Sequence, residues 1–458
     1  MRRLRGNDLK SIQLAKNKEL LQKYGRDDAW FESVNECDIR PALIIGDSEV
    51  RGEVLRIITE YLRAKFIRAA NPDSDDEATD NKKKKKPAKP VPHPQSAVGM
   101  KVVGRAYHSL VTLGFEAFQM ELGEIDEDDT TEYDVLYDGA MLSDTCVDAV
   151  DRAVLDVPSE NVKPVSSAFG DILVYSDQGK RQTMEDKHVC ISDLNSMFSL
   201  KKEQPSQAFF AIYDGHGGTE AADYARNHLH VNLVNHPDFE SDIIKALEES
   251  FKKTDENFLK VAEKENNLSG CTCIVTFVRG EYMYTAWLGD SQAMLCRNGS
   301  EVQNICSPHK PDREDEKKRI EDAGGVVVWY GAWRVNGVLS VARAIGDRQL
   351  KKYVISECDT TTTQIQGSEN FLCLACDGLW DVMDGKSVIQ FVKEHMKQGK
   401  SSNDVAKALV KHALHLGSGD NISTIIVYFD GIHKLTESGS EDEAAGGDNT
   451  STQEPVQQ

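Results

Sequence analysis

FFAIYDGHGG, Phe209 to Gly218, runs five apolar or aromatic residues into an aspartate and then a glycine-rich turn. Such a run has the composition of a buried strand, and the Gly after Asp214 lets the chain turn sharply at the sheet edge. The same texture starts near Ile172 and recurs in CTCIVTFV (271–278), YMYTAWLGD (282–290), AMLCRNG (293–299), FLCLACD (371–377) and ISTIIVYF (422–429). Gly, Asn or Asp punctuates the ends, as strands and turns require. Between the strands, 219–234, 241–265, 312–323 and 386–396 carry helical patterns, and Gly324-Gly325 marks the stop of the third. Clustered strands with interspersed helices indicate an α/β or α+β domain over 166–430.

Upstream the texture is helical. Residues 1–24 place Leu9, Ile12, Leu20 and Leu21 among charges, and Val54, Ile58, Tyr61 and Leu62 form an apolar stripe over 51–67. Further helices are expected over 99–120 and 141–155. An acidic, lysine-rich and proline-rich segment, 71–98, separates the first helices from these and reads as a disordered linker. The Gly-, Ser- and Glu-rich tail, 431–458, reads the same way. Lys82 to Lys86 has two readings, a nuclear localisation signal or a run that keeps the linker solvated.

The formal net charge of -21 argues against non-specific nucleic-acid binding. No stretch approaches the about 20 apolar residues of a membrane span, and the basic start lacks the apolar region of a signal peptide. The ten cysteines read as reduced core thiols of a cytoplasmic protein, with a nuclear home also open. Cys373 and Cys376 have C-x-x-C spacing, but on a strand that odd separation sends them to opposite faces, making them a poor metal pair.

Four short elements carry chemistry: RQTMED (181–186), YDGHGG (213–218), CDGLWD (376–381) and SGDN (418–421). Two deliver an aspartate at the end of a strand and one just before a strand. Singly, each is more often a plain turn; His216 alone would be a loop histidine, Arg181 a surface cation, and Glu185-Asp186 a helix cap. Together they assemble the oxygen donors that hard divalent cations such as Mg²⁺ and Mn²⁺ prefer. A pair of such ions activates water and clamps a phosphoryl group. A nearby Arg grips phosphate oxygens with its planar fork, and a His can protonate the departing alkoxide.

These blocks resemble, in order, those of the metal-dependent type 2C protein phosphatases. RQTMEDKH and FFAIYDGHGG resemble the first two; SGCTCIVTFV, AWLGDSQAMLCRNG, DEKKRIEDAGG and WRVNGVLSVARAIGD the middle ones; FLCLACDGLWDVM and SGDNISTIIV the last. The resemblance implies an α-β-β-α sandwich of two antiparallel sheets flanked by helices, preceded by an N-terminal helical module. It implies two Mn²⁺ or Mg²⁺ ions. Asp214 would bridge them, Gly215 would offer its carbonyl to one, and Asp377 and Asp420 would bind the other. Glu185 and Asp186 would order metal-held waters, Arg181 would bind the substrate phosphate, and His216 would act as general acid. Asp381 matches a position associated with an additional, weaker metal. One departure stands out: relatives carry an Asp before His-Lys-Pro that helps a third ion bind, and here Pro308 takes that place.

The Ser307–Pro311 stretch, the 333–347 block and the long N-terminal extension look most like one branch, the calcium/calmodulin-dependent protein kinase phosphatases with the related nematode sex-determination phosphatase. That implies phosphoprotein substrates, among them calmodulin-dependent and p21-activated kinases. The N-terminal helices would either dock protein partners or cap the catalytic domain. A competing reading is a catalytically silent phosphatase fold that acts as a scaffold through residues 1–165. The retained Asp214, Asp377 and Asp420 weigh against it.

Overall fold

The computed structural model describes residues 47–70, 97–113, 139–156, 169–201, 204–397 and 402–429. The helix expected over 1–24, residues 71–96 of the linker with Lys82 to Lys86, the end of the 99–120 helix and the tail from 431 lie outside them. Contacts divide the chain into two units. One comprises 1–166 with 190–208 and 227–242, the other 167–189 with 209–226 and 243–458.

The first unit is built on α1 (Asp47–Ala70), α2 (Ala97–Leu113) and α3 (Gly139–Asp156), which pack on one another. Of the stripe read from the sequence, Val54, Ile58 and Leu62 are fully buried and Tyr61 is half-buried; Val103, Ala106, Leu110, Cys146 and Val150 are buried alongside. The short helix α4 (Leu194–Met197) closes on α2. Tyr107 meets Phe198 edge-on at 5.7 Å. A Cβ on Gly104 would lie 2.0 Å from the carbonyl oxygen of Ser196, so only glycine allows this approach. Gly104→Ala is therefore expected to cost about 2 kcal/mol or more through forced backbone displacement, read as a melting temperature lower by several degrees.

The second unit holds the sheets. Strands in chain order are β1 (Phe169–Asp177), β2 (Lys187–Ile191), β3 (Gln207–His216), β4 (Gly270–Arg279), β5 (Tyr282–Leu288), β6 (Gln292–Arg297), β7 (Glu301–Asn304), β8 (Val327–Trp329), β9 (Trp333–Val335), β10 (Ile345–Gly346), β11 (Asp359–Gln364), β12 (Glu369–Ala375) and β13 (Ile422–Phe429). One sheet runs β1-β13-β12-β6-β7, and every pairing in it is antiparallel. The other runs β11-β5-β4-β3-β2, with β10 also on β4. Phe169 of the first sheet meets Phe210 of the second edge-on at 5.6 Å. The hairpin β8–β9 stands apart, with Trp329 and Tyr330 exposed.

Helices cover the sheets. After α5 (Glu220–Val234), α6 (Ile243–Glu265) buries Ala246, Leu247, Ser250, Phe251, Thr254 and Phe258 at three- and four-residue spacing. The helix α7 (Glu314–Asp322) ends as expected: Gly324 takes φ +84 and Gly325 N–H donates to Ile320 O at 2.9 Å. Beyond β12, α8 (Asp377–Trp380) is one turn long, and α9 (Gly385–Lys397) and α10 (Ser402–His415) follow. Val388, Ile389, Val392, Val405, Leu409 and Val410 from these two helices cover Phe371, Cys373, Ile426 and Tyr428 of the first sheet. The architecture is α+β, two antiparallel sheets flanked by helices, with the N-terminal helices present. Among the described residues no helix is long and apolar enough to cross a membrane.

Candidate active site

Every sequence-predicted site residue lies in the second unit. Tyr213 ends the fully buried part of β3, and Asp214, Gly215 and His216 emerge half-buried at its end. A Cβ on Gly215 would lie 2.6 Å from Glu185 O, so glycine lets the RQTMED loop close on the strand end. Asn421 clamps that loop. Its Nδ2 donates to Gln178 O and Thr183 O at 2.8 and 2.9 Å, and its Oδ1 accepts from Glu185 N–H at 2.8 Å.

Carboxylates converge here. Oxygens of Asp214, Asp290 and Asp377 lie within 4.8 Å of one another, and Asp214 forms a second such group with Asp186 and Cys376. Asp214 is common to both. Burial and then the charges of Asp186, Asp377, Asp290 and Asp420 hold its carboxyl well above the ordinary range. Burial and Asp290, Asp381 and Asp420 push Asp377 up to about 8, against the pull of Lys310. Burial pushes Asp186 up to about 6, although Ser423 and Cys376 stabilise its charge. Asp381, one helical turn after Asp377, is raised by burial, with Lys310 opposing and Asp290 and Asp420 adding. Concentrated negative charge of this kind is unfavourable without a cation.

The donor set fits divalent metal. It is dominated by carboxylate oxygens, suited to Mg²⁺ or Mn²⁺, and Asp186 Oδ1 is buried without a hydrogen-bond donor. Cys376 Sγ lies 3.4 Å from the other Asp186 oxygen and 3.2 Å from Ser423 N–H. Burial drives its thiol far up, so it serves as a weak donor to Asp186 rather than as a thiolate ligand. Cys373 points into the helix-covered core instead, and all described cysteines are unpaired.

The remaining predicted residues ring this centre. Asp420 belongs to neither close group; its Oδ2 accepts from Arg181 Nη2 at 2.6 Å, and Arg181 is 59% exposed. Glu185 Oε1 accepts from Thr183 and Oε2 from Gly218 N–H at 3.3 Å. His216 Nε2 lies 2.9 and 2.8 Å from the two oxygens of Asp347. Pro308 contributes no carboxylate; its carbonyl accepts from Arg313. Two residues on, Lys310 pairs with Asp290.

Asp290, 2% exposed, and Asn421 were not singled out from the sequence. Asp290 had a signal: YMYTAWLGD also runs a strand into Gly and Asp. Asn421 stands inside the SGDN element, but its clamp spans more than 230 residues.

Comparison with known proteins agrees. Residues 171–422 match the family model "Protein phosphatase 2C". Protein phosphatase 1E of Mus musculus is 47% identical over 271 residues, covering 59% of this chain and 36% of that protein. Protein phosphatase 1F of Homo sapiens is 41% identical over 273 residues, covering 59% and 60%. The match thus spans less than two thirds of these relatives' length. The solved structure of a C. elegans sex determining protein shares the fold, with a TM-score of 0.63 and 23% identity, over 86% of this chain and 91% of that one. A family match across more than half of the sequence, on a fold shared with that solved structure, establishes that this chain belongs to the protein phosphatase 2C family.

Proposed function

We propose that the protein is a metal-dependent serine/threonine phosphatase that hydrolyses phosphoserine and phosphothreonine in proteins, with residues 166–430 as its catalytic domain. The observation that carries this reading is the convergence of Asp186, Asp290 and Asp377 on Asp214, which belongs to both close donor groups. Asp214, the Gly215 carbonyl, Asp377 and Asp420 would hold two Mn²⁺ or Mg²⁺ ions, with Asp214 shared between them. Glu185 and Asp186 would orient waters at those ions. Asp381, with Asp290 beside it, would help hold a weaker third ion, despite Pro308. When bound, the ions supply an activated water nucleophile and neutralise phosphoryl charge.

The chain's own groups do the rest. Arg181, exposed at the rim, offers guanidinium N–H groups to the phosphate oxygens. His216 donates a proton to the departing seryl or threonyl oxygen, an alkoxide too basic to leave unaided. The glycines of 215–218 let the backbone approach without side-chain obstruction. Signalling kinases, including calmodulin-dependent and p21-activated kinases, are the proposed substrates, on the likeness of the Ser307–Pro311 and 333–347 blocks to one branch of the family. The site is proposed to act in the cytoplasm, with the nucleus open through Lys82 to Lys86, and the N-terminal helices to bind protein partners.

Phosphate release from a phosphothreonine peptide by the full chain tests this. Excess EDTA is expected to abolish turnover and added Mn²⁺ to restore it. Undiminished turnover in chelator, or none with Mn²⁺ or Mg²⁺ supplied, refutes the reading.

A further inference from the structure

We propose that Asp347, which none of the roles above uses, is the positioning residue that fixes the tautomer and orientation of His216 for proton delivery; this rests on the phosphatase reading. The two residues are 131 apart in sequence, yet the imidazole Nε2 sits almost equidistant, 2.9 and 2.8 Å, from both Asp347 oxygens. A carboxylate only accepts, so Nε2 carries the hydrogen. The opposite nitrogen, Nδ1, is left to carry the transferable proton.

The placement is built rather than incidental. Asp347 is 7% exposed, and among the described residues its carboxylate has no Lys or Arg partner. It stands at the N-cap of the 3₁₀ turn Arg348–Leu350, where an Asp ordinarily binds a backbone N–H, but its side chain makes no capping bond. Its backbone is left-handed, φ +50, a conformation Asp adopts more readily than most non-glycine residues, and surrounding structure fixes it. That structure is visible: Asp347 N–H donates to Ser269 O at 3.1 Å, and Gly346 N–H donates to the buried Asp255 Oδ1 at 2.7 Å. On the facing strand a Cβ at Gly270 would lie 2.1 Å from Asp347 Oδ2 and 2.4 Å from His216 Nε2. Glycine there leaves the space in which the pair meets.

In the step proposed, the P–O bond to the seryl or threonyl oxygen breaks as the water-derived oxygen bonds to phosphorus. The Nδ1 proton passes to the departing oxygen. His216 becomes neutral and keeps its Nε2–H on Asp347, which itself gains no proton. Asp347 thus fixes the Nε2–H tautomer and holds the ring in place through the transfer.

The test compares full-chain wild type, Asp347→Asn, His216→Gln and the double variant on a phosphothreonine peptide and on p-nitrophenyl phosphate. Nitrophenolate leaves without a proton. Asparagine tolerates the left-handed backbone, so Asp347→Asn removes charge while keeping shape. Its kcat on the peptide is expected to fall about 10- to 100-fold, with KM unchanged and nitrophenyl phosphate turnover nearly intact. In the His216→Gln background the same change is expected to cost nothing further. Equal loss on both substrates, or an additive loss in the double variant, overturns the assignment. Failure of wild type to turn over either substrate with Mn²⁺ instead removes the phosphatase reading. Independently of metal or of any Asp347 variant, ¹⁵N NMR of the metal-free chain at alkaline pH is expected to show the imidazole signal missing from His216→Gln as the Nε2–H tautomer. The Nδ1–H tautomer would contradict the proposal.

Discussion

Asp214→Asn is expected to lower turnover of phosphopeptide and of p-nitrophenyl phosphate alike by about 10³-fold or more, a loss of about 4 kcal/mol of transition-state stabilisation. Both substrates suffer because the residue acts on the nucleophile and the phosphoryl group, not on the leaving group. The same change should not harm the metal-free fold. In that state burial and the charges of Asp186, Asp377, Asp290 and Asp420 disfavour the ionised form of Asp214, so a neutral amide in its place costs no favourable charge. The EDTA-treated variant should melt at or above the wild-type temperature while losing most of the rise that Mn²⁺ produces in wild type. Activity within a few-fold of wild type, with the same Mn²⁺ requirement, would refute the assignment of Asp214.

The second large effect is a proton–metal competition. With Asp377 pushed up to about 8 and Asp186 to about 6, the metal-free centre holds protons near neutrality that a cation must displace. Apparent Mn²⁺ affinity should rise about tenfold per pH unit for each proton displaced. From pH 6 to 8 that is on the order of 100-fold for one proton, and the dependence steepens as Asp186 also protonates. The stability of the metal-free protein should move the other way. These folded-state values lie above the ordinary 3.8 of an aspartate, so the native state binds more protons than the unfolded one. Its stability therefore declines as pH rises from about 4 towards 8. Calorimetric Mn²⁺ titrations across this range, beside melting curves in EDTA, check both signs. An affinity flat between pH 6 and 8 would show that the carboxylates are not protonated as described.

Local signals and long-range geometry were unequally legible. Asp214 and Asp377 could be read because each follows a long apolar run and precedes Gly, so strand composition and turn chemistry point to one place. Asp290 carries a related signal with Gly before the Asp, and only the fold shows that it joins them. Arg181 and Asp420 were each identified, but their ion pair crosses 239 residues, and no local pattern encodes such a distance. The Asp347–His216 pair is hidden for the same reason. Among the elements, β11 escaped notice because DTTTTQ is polar, consistent with its place at a sheet edge beside β5. The helix α10 also went unread, although Val405, Leu409, Val410 and Ala413, all buried, form a stripe at helical spacing. The short α8 was unreadable as a helix because one turn has no period, although it sets Asp377 and Asp381 on one side of the site.

Mn²⁺ uptake by the metal-stripped full chain, measured by titration calorimetry for wild type and for Asp214→Asn, bears most directly on the metal centre. Saturable binding of at least two ions by wild type, with loss of most of that uptake in the variant, is the predicted result. No uptake by wild type, or the same uptake by both proteins, would contradict it.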